Sequence, residues 1–144
     1  MYKHPVSVLV VIHSQDGQVL LIERAAHPGL WQSVTGSLEI GESPIEAAWR
    51  ELTEETGLTS ADGTLTDHKK TTVYEIWPQW RHRYAPGVTQ NTEHLFSFEM
   101  ATPRSVSLAP NEHISQRWLP ASHAAEICFS PSNSEAILAI SQSL

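Results

Sequence analysis

Between residues 36 and 58 the chain reads GSLEIGESPIEAAWRELTEETGL, which crowds three carboxylates, Glu51, Glu54 and Glu55, into five positions. On a helix Glu51 and Glu55 stand one turn apart on one face, with Glu54 beside them. Like charges at that spacing repel by roughly 0.2–0.5 kcal/mol per pair. The negative end of the helix dipole adds to the cost. A divalent cation removes it. Hard carboxylate oxygens suit Mg²⁺, with Mn²⁺ as a substitute, and ions of this kind keep waters and bind phosphates. Arg50, four residues before Glu54, is read as orienting the glutamates rather than touching substrate. The plainer reading of such an acidic stretch is a solvated helix with Arg50–Glu54 as a surface pair.

The elements that must position these carboxylates are legible around them. Ser43-Pro44-Ile45-Glu46 is a helix start: Ser43 caps, Pro44 fits the first turn and Glu46 completes a capping box. The helix runs to Thr56, and Gly57 suits the left-handed residue beyond its end. Ile45, Ala48, Trp49 and Leu52 recur at helical spacing and predict one apolar face, which Ala47 widens. Gly36 and Gly41 flank the preceding loop, which can fold closely around a metal or phosphate.

Val6–His13 and Val19–Arg24 read as strands of a hairpin turning at Asp16-Gly17. Trp31–Thr35 reads as one short strand leading to Gly36. Thr66–Trp77 is strand-like, Trp80–Asn91 a polar loop, and Thr92–Met100 and Ile114–Leu119 two further strands. Ala121–Ile127 reads as a short helix. Ser132 or Asn133 can cap a last helix from Ser134 to about Ser143, with Ile137, Leu138, Ile140 and Leu144 as its stripe. Strands interrupted by one helix and closed by two more predict an α/β fold, an α/β/α sandwich around a mixed β-sheet.

The 144 residues suggest a single domain spanning 1–144. The net charge of −7 argues against nucleic acid or an anionic membrane as partner, because a basic face is the usual footprint of either. It leaves room for an anionic small molecule, since a bound cation supplies positive charge. The lone cysteine, Cys128, predicts a buried inert thiol and fits a reducing cytoplasm. The first residues lack a signal-peptide pattern, and their apolar run is too short to span a membrane.

Gly36, Glu42, Arg50, Glu51, Glu54, Glu55 and Gly57, with Leu52 and Leu58 aliphatic, complete the pattern G-x5-E-x7-R-E-U-x-E-E-x-G-U, U being aliphatic. By average residue usage a chance match has a probability on the order of 10⁻⁷. The chain thus resembles the Nudix hydrolases, which cleave nucleoside diphosphates linked to another group. That resemblance implies Glu51 and Glu55 as the main metal contacts, Glu54 joining them, Glu42 nearby, and attack of metal-activated water on a phosphorus. It also implies an acidic residue from a loop outside the motif, for which Glu112 is the candidate.

The motif does not name the molecule cut. Arg81, His82 and Arg83 concentrate positive charge that can meet a triphosphate or, equally, mark a solvent-exposed loop or a salt-bridge patch. Lys3 and Arg24 can pair with phosphates, and Thr35 and Gly36 can offer a hydroxyl or backbone group. Tyr74, Glu75, Ile76 and Trp77 alternate on a strand and can line a cleft. Trp31, Trp80 and Trp118 are further aromatic surfaces, more often core. Phe129–Asn133, with Ser130, can close over a ring but reads rather as an ordinary interhelical loop, and His113 is read as structural. The segments YKHPVSVLVVI, WQSVTGSLEIGES, RHRYAPGVTQNTEH and EHISQRWL look like the bacterial dihydroneopterin triphosphate pyrophosphohydrolases, also described as dATP pyrophosphohydrolases. This likeness implies a ring pocket drawn from Lys3, Arg24, Thr35, Tyr74–Trp77 and Ser130, and a small-molecule triphosphate substrate cleaved to pyrophosphate and the monophosphate in folate synthesis. A sanitising hydrolase of oxidised nucleotides is one alternative. A nucleotide-sensing module without catalysis is another, and the intact Glu51, Glu54 and Glu55 count against it.

Overall fold

The computed structural model describes residues 2–142. Strands β1 (Val6–Ser14) and β2 (Gln18–Arg24) form the expected hairpin. Gly17 at its turn has φ +84, which a side chain resists. β1 lies at the centre of a seven-stranded mixed sheet. It pairs in parallel with β6 (Gln90–Met100) and antiparallel with its other neighbours. β5 (Thr64–Glu75) flanks β6, and β7 (His113–Pro120) flanks β2.

The single strand expected over Trp31–Thr35 is two. β3 (Trp31–Gln32) pairs with β2, and β4 (Val34–Ser37) pairs with β1. The chain changes partner at Ser33, so Ser33 leaves the ladder. Its amide donates instead to Asn133 Oδ1 at 2.8 Å, and its hydroxyl accepts from Asn133 Nδ2 at 3.0 Å. Both groups are buried and satisfied.

Helix α1 (Pro44–Thr56) has the expected bounds. Ser43 Oγ accepts from the Glu46 amide, Glu46 Oε1 accepts from the Ser43 amide, and Gly57 closes the end at φ +75. The apolar face needs one correction. Ile45 is 40% exposed. The buried stripe runs through Ala47, Ala48, Leu52 and Glu55, which turns Ile45 to its margin and carries one carboxylate inward.

The Trp80–Asn91 loop is also partly regular. A 3₁₀ helix spans Pro78–Arg83, closed by the Trp80 amide on Trp77 O and the Tyr84 amide on Arg81 O. It places Trp80 flat against Trp77, centroids 5.0 Å apart. Helix α2 (Ala121–Ile127) is as expected. Helix α3 (Pro131–Gln142) starts three residues early, so Ser132 and Asn133 lie in its first turn rather than ahead of it. Ser143 and Leu144 lie outside the described residues.

The sheet is covered on both faces. Val8, Val10, Leu20, Phe96 and Phe98 pack against Ala47, Ala48 and Leu52 of α1. Leu9, Val11, Leu21 and Leu95 pack against Ala124 of α2 and Ile137 and Ile140 of α3. This is the α/β/α sandwich around a mixed sheet. Cys128 is half-buried rather than buried, and burial pushes its thiol up to about 12. Among the described residues no helix is long and apolar enough to cross a membrane.

Candidate active site

One open cleft of about 1270 Å³ runs across the sheet between α1 and the first turn of α3. Its acidic end is built from α1 and the loop before β7. Arg50 organises it. Nε and Nη2 reach the two oxygens of Glu42 at 2.7 and 2.8 Å, Nη1 reaches Glu51 Oε1 at 2.5 Å, and Nη2 donates to Ser37 O at 3.0 Å. Glu54 sits farther out, 3.4 Å from Arg50 and half-exposed, beyond the cleft lining. The planar fork fits this bidentate geometry in a way an ammonium does not. Arg50 therefore bonds both Glu42 and Glu51.

Glu55 is 1% exposed, and neither of its carboxylate oxygens meets a hydrogen-bond donor in good geometry. Burial raises its carboxyl well above the usual 4.5; the Glu51 and Glu112 carboxylates push the same way, and the nearby Thr35 amide pulls back less. A buried carboxylate left this way is costly unless a cation meets it. Glu55, Glu112 and His113 each bring one ligand atom to within 4.8 Å of the others. Hard oxygen donors beside an orphaned glutamate fit a divalent metal of the Mg²⁺ type. Gly36 makes room for them: a Cβ there would overlap the Glu51 carboxylate.

His113 is buried, 3.4 Å from the Gln32 amide nitrogen and 3.7 Å from Glu55 Oε1. Burial, then Arg24, lower its pKa to about 4. It is neutral near pH 7, so the 3.7 Å approach is no ion pair. The structural reading of His113 fits this placement. Glu112 is exposed and held by its backbone, whose carbonyl accepts from the Ala25 amide at 2.8 Å.

Next along the cleft come the cations. Lys3, Arg24 and Arg83 line it. Lys3 is lowered to about 8, first by burial, then by Arg83 and Arg24, while Glu51 and Glu55 pull back. Arg24 donates to Gln32 Oε1 at 3.1 Å and lies 5.1 Å over the Trp80 ring. Arg81 is different. Its guanidinium bonds Ile76 O at 2.9 Å and Glu75 at 3.4 Å, and it is absent from the lining, as is His82. From the sequence, contact with a phosphate and simple exposure in a loop are equal readings for both. The 3₁₀ turn aims Arg83 into the cleft and binds Arg81 back on its own strand end. Thr35 and Gly36 line the cleft, but the Thr35 hydroxyl donates to Val8 O at 2.9 Å.

The far end is aromatic. Tyr74, Glu75, Ile76 and Trp77 all line it, with Ser130 opposite. Phe129 stands edge-on to both Trp77 and Trp80, at 5.5 and 5.9 Å. Trp31 and Trp118 are elsewhere: Trp31 carries Arg117 over its ring, and Trp118 donates to Arg104 O. Asn91 and Glu93 also line the cleft, outside the sequence expectation. The trace they leave is polar residues on the inward phase of buried strands, Ser7 before Leu9 and Val11, and Asn91 and Glu93 before Leu95.

The NUDIX domain model matches residues 3–139 of this chain. The dihydroneopterin triphosphate diphosphatase of Escherichia coli (strain K12) is 46% identical over 140 residues, 95% of this chain and 92% of its own. Its counterpart in Haemophilus influenzae is 40% identical over 139 residues, 94% and 87% of the two chains. The solved structure of the E. coli dihydroneopterin triphosphate pyrophosphohydrolase superposes with a TM-score of 0.93 at 43% identity, over 100% of this chain and 99% of that one. With its motif complete, its fold superposing on that structure and the domain model matching nearly its whole length, the chain belongs to the NUDIX family.

Proposed function

We propose that this protein hydrolyses 7,8-dihydroneopterin triphosphate between its α and β phosphates, releasing pyrophosphate and leaving the monophosphate, with dATP and other nucleoside triphosphates as further substrates. The observation that carries it is the order of surfaces in one cleft: carboxylates, then cations, then aromatic rings. That order matches a metal-bound phosphate chain ending in a planar heterocycle. The relatives named above support the pterin as that heterocycle.

Glu51, Glu55 and Glu112 would hold Mg²⁺, with Glu54 at its outer side. When bound, the ion supplies acidification of water and neutralisation of phosphate charge. Arg50 holds Glu51 in position through its fork. Lys3, Arg24 and Arg83 neutralise the phosphate oxygens and fix the chain's direction. Thr35 and Gly36 leave a close backbone wall beside the phosphates. Trp77, Trp80 and Phe129 give the ring an apolar face, with Tyr74, Ile76 and Ser130 around it. Glu75 stands at the rim. The net charge of −7 argues against nucleic acid as a partner.

A steady-state comparison tests the proposal. The highest kcat/KM is expected for dihydroneopterin triphosphate among it, dATP, dGTP and 8-oxo-dGTP, with pyrophosphate and the monophosphate as products. EDTA should abolish turnover, and Mg²⁺ or Mn²⁺ should restore it. Preference for 8-oxo-dGTP would overturn the proposal in favour of a sanitising role. Arg50→Lys should lower turnover by about 10- to 100-fold and weaken metal affinity, with KM little changed, because an ammonium cannot hold Glu42 and Glu51 together. Wild-type metal affinity in that variant would remove Arg50 from its positioning role.

A further inference from the structure

Glu93 is a buried carboxyl that the chemistry above does not use. It projects from β6 into the aromatic end of the cleft and is 7% exposed. Among the described residues no cation pairs with it. The Ser132 hydroxyl donates to it, and burial nevertheless raises it to about 7. A carboxylate has room for about four hydrogen bonds, so one hydroxyl leaves it far from satisfied. Asn91, two residues earlier on β6 and so roughly 7 Å away on the same face, has a similar gap. Its Nδ2 donates to Ser7 Oγ at 2.7 Å and Tyr74 Oη at 3.1 Å, while its buried Oδ1 has no partner. Two acceptors thus lie at the cleft beside the rings that would stack a heterocycle, a carboxylate met by one hydroxyl and a buried amide oxygen met by no donor.

We infer that Glu93, with Asn91 beside it, reads the edge of the bound ring: its carboxylate accepts from the adjacent ring N–H and exocyclic amine of a 2-amino-4-oxo pyrimidine ring. Pterins and guanine carry that pair of donors. Adenine places a ring nitrogen lone pair next to its amine, so one carboxylate oxygen would face a lone pair instead of a proton. Asn91 lines the same stretch of the cleft beside Glu93. Glu93 then becomes the specificity determinant of the hydrolysis proposed above, on which this inference rests, and it disfavours adenine by leaving a buried acceptor unpaired.

The test is Glu93→Gln, which offers one acceptor and one donor and so suits adenine. kcat/KM is measured for dihydroneopterin triphosphate, dGTP and dATP. Binding of neopterin, GMP and AMP is measured in EDTA by quenching of tryptophan fluorescence. The dGTP-to-dATP ratio should fall by about 10- to 100-fold, the range of one bidentate base contact. The GMP-to-AMP binding ratio should fall with it. An unchanged ratio, or an equal loss on all three substrates, would overturn the inference. Glu93→Asp keeps both acceptors and should keep the order of preference; a reversal there too would also overturn it. If the wild type binds neopterin and GMP over AMP but splits no triphosphate, the proposed hydrolysis fails while the role of Glu93 stands.

Discussion

Glu55→Gln should lower kcat by about three orders of magnitude, roughly 4 kcal/mol of barrier, while raising the melting temperature of the metal-free protein. The two effects share one cause. Glu55 is buried with unpartnered oxygens and is pushed well above 4.5 by burial, Glu51 and Glu112. In the absence of metal the folded protein keeps a proton there that the unfolded chain releases above about 4.5. Stability therefore falls as pH rises from about 4.5 through the raised folded value, because the folded state binds more protons. Glutamine has no proton to lose and removes this cost. In EDTA the variant should melt above the wild type at pH 8, and the gap should close towards pH 4. Added Mg²⁺ should then stabilise the wild type and hardly move the variant, since only the ionised carboxylate binds it. Wild-type turnover in Glu55→Gln, or an equal Mg²⁺ response, would end the assignment of Glu55 to the metal.

Gly36→Ala is expected to cost both fold and activity. Gly36 lies on β4 opposite Val8, and an added methyl would overlap the Glu51 carboxylate. Overpacking of this kind costs about 1–3 kcal/mol. The strand backbone is fixed by its pairing with β1, so the side chain of Glu51 must give way, and Arg50 Nη1 loses its 2.5 Å partner. Turnover should fall about 100-fold. Urea melts of Gly36→Ala, Glu51→Asp and the double variant check the cause. The shorter Asp should recover part of the lost stability and none of the activity, a coupling expected of touching residues. Additive losses would place the strain elsewhere.

The parts of this molecule that the sequence made legible are those fixed by near neighbours. The bounds of α1 follow from Ser43, Pro44, Glu46 and Gly57, all within one turn of the ends they define. The hairpin follows from Asp16-Gly17. Glu51, Glu55, Arg50 and Gly36 follow from one contiguous motif. What escaped depends on distant partners. Ser33 leaves its strand because Asn133 waits for it, which no window around Ser33 records. The 3₁₀ helix at Pro78–Arg83 is held by a stack of two tryptophans against Phe129, and it separates Arg83, in the cleft, from Arg81, outside it. Asn91 reads as the end of a polar loop and Glu93 as an ordinary strand residue until β6, from Gln90 to Met100, places both beside β1 and α3. Ile45 has the right spacing for the core, and only the roll of α1 against the sheet exposes it.

The bonds from Asn133 to Ser33 also set an order of assembly. They join residues 100 positions apart, and closing a loop of that length costs on the order of 4 kcal/mol of chain entropy. Such a contact waits until the sheet has already shortened the loop. On the ribosome Ser33 emerges early, with the motif helix soon after it, while Ser132 and Asn133 emerge much later. A nascent chain can therefore present its carboxylates well before the wall that faces the ring exists. The cleft wall at the start of α3, where Ser132 meets Glu93, is the last to be made.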